Sequence, residues 1–271
     1  MLEACRLAVE RGLPAIAFTE HVDASSWTPD DGLPARGLTR ELYHALAPLD
    51  VEGYLACVAE CRDRFPELRI LTGVELGEPH LHASTVADVL ARHPFERRLG
   101  SLHVVPTEDG RLCNSWTLLP TVSADRATEL VRGYFGEMLH LVDSDAPFEV
   151  LAHLDFPRRY WPSDDRPYLE KDFEEEYREV LRRLVASGRV LEINTRTPLA
   201  SVELVRWWFE EGGGAVSFGS DAHVPWAVGD CFDLAVDVVE AAGFRPGADR
   251  FDFWRRRSPL VPRTDRTTGA Y

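Results

Sequence analysis

Six short apolar runs, each separated from the next by a helical pattern, recur along this chain, and that alternation leaves few folds open to it. The runs are Leu13–Thr19, Leu68–Leu76, Arg98–Val105, Phe148–Ala152, Val190–Ile193 and Ala215–Gly219. Between them the apolar period predicts helices over Val51–Phe65, His82–Arg92, Ser123–Val142, Leu169–Ala186 and Ser201–Glu211, with Val228–Ala242 after the last run. Asp50 and Ser123 are suited to cap helix N-termini, and Gly188 and the run Gly212-Gly213-Gly214 to stop helices. A helix over Met1–Arg11, ended by Gly12, precedes the first strand. Strands that alternate strictly with helices pair in parallel, because each crossover helix returns the chain to the same end of the sheet. The 271 residues suit one α/β barrel or two small domains. No break in composition divides them, so one domain over 1–271 is expected, with a Pro- and Arg-rich tail from about 244. The longest irregular stretch, Val22–Leu38, follows a strand, where barrels carry their active-site loops.

What ends each strand is the chemical signal. The tips read Thr19-Glu20-His21, Gly73-Val74-Glu75, Gly100-Ser101-Leu102-His103, Leu151-Ala152-His153, Glu192-Ile193-Asn194-Thr195-Arg196 and Gly219-Ser220-Asp221-Ala222-His223. In a barrel those tips ring a single pocket. A lone strand-end histidine is more often a hydrogen-bonded rim residue, and His103 or His153 alone would carry no more than that. Several coincident tips are harder to scatter by chance. We therefore read His21, Glu75, His103, His153, Asp221 and His223 as metal ligands, a mixed imidazole and carboxylate set suited to zinc, iron or manganese. Asp221 and His223 stand two apart and are expected to lean to one face. His80 and His82 also form an H-x-H, but they sit near a helix start and read as structural or substrate-adjacent. His44, His93 and His140 read as solvated or capping.

Charge narrows the partners. The formal net charge of −15 repels polyanions, so bulk nucleic-acid binding is not expected. An anionic substrate then needs a local positive site. Arg158, Arg159 and Arg196 follow the tips at His153 and Asn194, and guanidinium forks match phosphate geometry, although plain surface arginines are the bland reading. Glu192 and Asn194 alternate to one face and are placed to orient ligands or substrate. Asp155 and Glu20 remain open as supporting groups or proton donors. No apolar run has the length of a membrane span and Met1–Gly12 lacks a signal-peptide core, which makes the cytoplasm the expected compartment. The five cysteines show no disulfide spacing, and Cys57 and Cys61 lie four apart on a predicted helix.

Taken together, AIAFTEH (15–21), GVELGE (73–78), GSLHVV (100–105), LAHLDFPRRYW (151–161), LEINTR (191–196) and FGSDAH (218–223) resemble the polymerase and histidinol phosphatase (PHP) family, in its histidinol-phosphatase branch. The resemblance implies a distorted, TIM-like (β/α)7 barrel, up to three divalent transition metals, and hydrolysis of a phosphate monoester. L-Histidinol phosphate, in L-histidine biosynthesis, is the substrate it implies. By position, Glu75 would bridge two metals, one of them also held by His103 and His153. Asp221 would share the other with Glu75, and His21 and His223 would hold a third. Catalytic roles would fall to Glu75, Asp221 and His223, and substrate binding to Arg158, Arg159, Arg196 and Asn194. The family opens with an H-x-H strand, whereas this sequence opens at the helix that should follow. The expectation is a barrel open at that place, poor solubility, weak or no activity, and a natural chain longer by roughly 15–25 N-terminal residues, with an H-x-H strand among them. Two other readings stand beside this one. One is a phosphodiesterase or exonuclease of the same family; the other is a scaffold domain that has lost catalysis.

Overall fold

A computed structural model describes residues 1–27, 48–164, 166–197 and 201–257. Its strands are β1 (Ala15–Val22), β2 (Arg69–Gly77), β3 (Arg97–Ser101), β4 (Val104–Pro106), β5 (Leu112–Asn114), β6 (Val150–Leu151), β7 (Val190–Asn194), β8 (Ala215–Gly219), β9 (Phe244–Arg245) and β10 (Trp254–Arg256). The longer helices are α1 (Leu2–Glu10), α2 (Val51–Arg64), α3 (Ala83–Arg92), α4 (Ala124–Asp143), α5 (Glu174–Ser187), α6 (Val202–Glu210) and α7 (Phe232–Ala242). A strand forms at each of the six expected runs, and these pair in parallel in the order β1-β2-β3-β6-β7-β8.

Local chemistry sets the helix ends. Ser123 accepts from the Arg126 amide and Asp50 from the Gly53 amide, capping α4 and α2. Three glutamates, Glu174 to Glu176, face the positive N-terminus of α5, and Gly188 ends that helix at φ 72°. The α4 helix buries Leu130, Val131, Tyr134, Phe135, Met138 and Leu141 at helical spacing. These join Tyr177, Trp207 and Trp208 in the main core outside the strands.

Three expectations need correction. The run Arg98–Val105 is not one strand. The chain leaves the barrel after Ser101, because the His103 amide donates to the Glu78 carboxylate (2.7 Å) and not to a neighbouring strand. Val104 and Val105 then pair with β5 in a separate hairpin. The stretch from about 244 is not simply a tail. There β10 pairs antiparallel with both β8 and β9, and Phe253 packs on Leu99, Val150, Ala152, Val190 and Ala215. The sheet is therefore eight-stranded and mixed. Finally, β1 runs on to Val22, so His21 lies within the strand. Of Val22–Leu38, the part after Trp27 lies outside the described residues, as does His44.

The barrel does not close among the described residues. There β1 pairs only with β2, and β8 beyond Val216 pairs only with β7. Burial shows the consequence: Ile70 to Gly77 of β2 are all buried, whereas the equally apolar Ala15 to Phe18 of β1 are only partly so. A cavity of about 700 Å³ lies between these edges, from Ala15, Leu99 and Phe218 up to His21, Glu75 and Asp221.

Close packing behind the strand tips is testable at Gly100 of β3. A Cβ built there would stand 2.5 to 2.7 Å from three atoms of the buried Phe148 ring. Gly100→Ala is expected to destabilise the fold by about 1–3 kcal/mol, read from the denaturant midpoint. An unshifted midpoint would show that the ring moves aside freely.

Candidate metal centre

Three strands deliver the centre of the site. Glu75 near the end of β2, His103 just past β3 and His153 just past β6 bring one ligand atom each within 4.8 Å of one another, and all three are buried. Glu75 Oε1 lies 2.8 Å from His153 Nε2 and 3.2 Å from His103 Nε2, and the two nitrogens are 3.4 Å apart. Two ring nitrogens and a carboxylate oxygen facing one point in a buried place need a cation or protons between them. That donor set fits a divalent transition metal.

Neighbouring groups hold the two imidazoles in place. The Phe156 ring packs on both, with centroids 4.9 Å from His103 and 4.8 Å from His153. Each backbone amide is fixed by a buried carboxylate: Glu78 accepts from His103, and Glu192 accepts from His153 at 2.9 Å. Gly219 is what admits Glu192, since a Cβ there would meet its Oε1 at 1.9 Å.

The other candidates lie along the same strand ends. His21 Nε2 is 3.4 Å from His223 Nε2, which brings together the pair that the resemblance implied. Asp221 and His223 do not reach the site by strand alternation. The strand ends at Gly219, and Asp221 takes a left-handed φ of 47°, so the approach is a turn in which His223 Nδ1 lies 3.0 Å from the Asp221 carbonyl. Arg159 donates to Asp221, Asn194 and Thr197, and Arg196 reaches both Asp221 and His223. Asn194 accepts from the Arg159 guanidinium and the Arg196 amide and donates to Glu192. Arg158 is placed differently, in an ion pair with Glu170 at 2.7 Å.

Charges in the site lean on one another. Burial alone would raise the Glu75 carboxyl, but His21, His103 and His153 hold it well below the usual range. Burial would lower His21, yet Asp23 and Glu75 push it up to about 9. Burial raises Asp155 to about 6, against Arg159 and Arg158. Burial likewise raises Glu78 and Glu192.

Outside this site, His80 Nε2 pairs with Glu137 and His82 Nε2 with Ser25 Oγ, both at 2.7 Å, so the H-x-H is held by other partners. His93 lies 3.3 Å from Thr72 Oγ1, and His140 is exposed beside Glu137. The cysteines are free; Cys61 is buried and Cys57 exposed, so the helix turns them to different surroundings. Two residues given no role from sequence are built into the site: Glu78, and Asp23, which stands against both His21 and His103. For Asp23 the signal was its two-residue spacing from His21, just past the end of the strand.

A largely parallel α/β sheet with histidines and carboxylates gathered at its strand ends defines a metal-binding protein of the TIM-like barrel class. This chain belongs to the PHP domain family, which matches residues 1–196. A relative from Clostridium acetobutylicum is 25% identical over 190 residues, covering 68% of this chain and 72% of that one. The histidinol-phosphatase of Lactococcus lactis is 24% identical over 243 residues, 88% of this chain and 83% of its own length. The crystal structure of the Lactococcus lactis histidinol phosphate phosphatase, complexed with zinc, L-histidinol and phosphate, superimposes with a TM-score of 0.71. It is 23% identical and covers 90% of this chain and 87% of that one. The shared architecture is thus the family's barrel.

Proposed function

We propose that this chain hydrolyses a phosphate monoester, with L-histidinol phosphate as the substrate and L-histidine biosynthesis as the setting. The carrying observation is that the Glu75, His103 and His153 cluster shares one end of the sheet with Asp221, His223 and the half-exposed Arg196. Relatives named histidinol-phosphatase, and a structural neighbour holding L-histidinol and phosphate, support that choice of substrate.

The cluster is suited to zinc, iron or manganese, with His21 and His223 as a second group of ligands and up to three ions in all. When bound, a divalent metal supplies Lewis acidity, acidifying water and neutralising phosphoryl oxygens. The residues of this chain do the rest. Glu75 and the imidazoles would hold the ions, while the guanidinium fork of Arg196 would meet the phosphoryl oxygens. Arg159 holds Asp221 in position beside it and is itself held by Asn194. Arg158 instead pairs with Glu170. Among the described residues no helix is long and apolar enough to cross a membrane.

The test is turnover of L-histidinol phosphate against a panel of nucleotides and phosphodiesters, each with added zinc, iron or manganese. Histidinol phosphate should be the preferred substrate; preference for a diester would establish the phosphodiesterase reading. Arg196→Ala should lower kcat/KM by about tenfold or more, corresponding to roughly 1.5–3 kcal/mol for a charge-assisted hydrogen bond, with metal content unchanged.

A further inference from the structure

Asp23 follows β1 and is 5% exposed, set between His21 of that strand and His103 just past β3. Its Oδ2 lies 3.0 Å from His21 Nδ1, and its Oδ1 lies 3.3 Å from His103 Nδ1. The far nitrogens of the two rings look in different directions. His21 Nε2 faces His223, whereas His103 Nε2 faces Glu75 and His153. A buried carboxylate without its own cation is costly, so its place here needs a reason.

Two further observations supply one. His21 Nδ1, His103 Nδ1 and Asp23 Oδ1 are buried and make no aligned hydrogen bond, so three unmet polar atoms converge on one spot. The neighbouring strand also keeps that spot clear: a Cβ on Gly77 would meet Asp23 Oδ1 at 2.0 Å. A carboxylate that accepts from Nδ1–H fixes an imidazole in the tautomer that presents Nε2 as a lone pair. Here one carboxylate is within reach of two such rings.

We infer that Asp23 is a shared positioning residue that sets the tautomer and angle of both His21 and His103, tying the two groups of metal ligands together. This rests on the metal-centre reading above. Asp23 carries a single pair of oxygens to two Nδ1 donors, so it holds both rings only while it remains a carboxylate. An asparagine of the same shape offers one acceptor and one donor. It can satisfy one ring but forces the other toward the wrong tautomer.

The test uses the whole chain, with zinc affinity measured by chelator competition and ring tautomers by 15N-labelled histidine spectra. In zinc-loaded wild type, His21 and His103 should both carry their proton on Nδ1. Asp23→Asn should bind zinc about 10–100-fold more weakly, with the same stoichiometry at saturation and an altered tautomer signal from one of the two rings. Gly77→Ala, which drives Asp23 from its place, should weaken zinc in the same direction. An Nε2 proton on either ring in the loaded wild type overturns the inference even if no variant folds. Equal zinc affinity in wild type and Asp23→Asn overturns it and leaves the metal centre standing. Loss of a zinc equivalent at saturation would make Asp23 a ligand and overturn it too. Absence of zinc from the wild type would sink the metal reading itself.

Discussion

His153→Ala should strip most of the metal from the protein. Three ligand atoms converge at the Glu75 cluster, and His153 Nε2 makes its shortest contact, 2.8 Å to Glu75 Oε1. Alanine leaves two ligands and a buried gap that no described neighbour is shown to fill. Losing even an outer partner of a ligand costs roughly 10–100-fold in affinity, and losing the ligand itself should cost more. Elemental analysis of protein purified without added metal is the measurement, with His140→Ala as the control on an exposed histidine. Unchanged metal content in His153→Ala would refute the centre.

Protons compete for the same atoms, which gives this prediction a pH dependence with a definite sign. Against the effect of burial, Asp23 and Glu75 push His21 up to about 9, so at neutral pH its ring is protonated on both nitrogens, Nε2 included, in the metal-free protein. A metal taking that nitrogen must expel the proton. Apparent affinity should therefore climb as pH rises toward about 9. Calorimetry in buffers of different ionisation enthalpy should show net proton release near pH 7. Zero release there would mean that His21 takes no part.

The strand tips were legible because a short polar motif that closes one apolar run after another rarely arises by chance. Glu75, His103 and His153 follow directly from that pattern and stand together. What was not legible was set by contacts between distant parts of the chain. β4, β5, β9 and β10 are each two or three residues long, too short to show any period, and pairing alone makes them strands. The approach of Asp221 depends on a left-handed residue, which alternation along a strand cannot foretell. Arg158 and Arg159 are adjacent and chemically identical, and only their fold partners separate them. One meets Glu170, the other Asp221.

That difference makes Arg159 the second site of large expected effect. Its side chain is 7% exposed and that of Asp221 11%, so the pair is largely withdrawn from water. The guanidinium also donates to Asn194 and Thr197 and lies over the Phe156 ring, 5.2 Å from its centroid. Removing Arg159 leaves Asp221 facing the more exposed Arg196 at 3.3 Å, and breaking a buried pair by removing one partner costs up to about 3–5 kcal/mol. Arg159→Met, which keeps the aliphatic bulk, should lose that much in metal-free protein at neutral pH. Asp221→Asn added to it should recover part of the loss, because the stranded charge is then gone. The pH dependence follows from Asp221. Burial would raise its carboxyl, but Arg159 holds it below the usual value near about 3.9, so the stability it contributes is complete above that value. That stability is lost as pH falls through the folded-state value. The gap between wild type and Arg159→Met should therefore narrow below about pH 4. Denaturant titrations at neutral pH and near pH 3 decide it: a gap that stays constant, or a double variant no more stable than Arg159→Met, would show that Arg159 acts through packing alone.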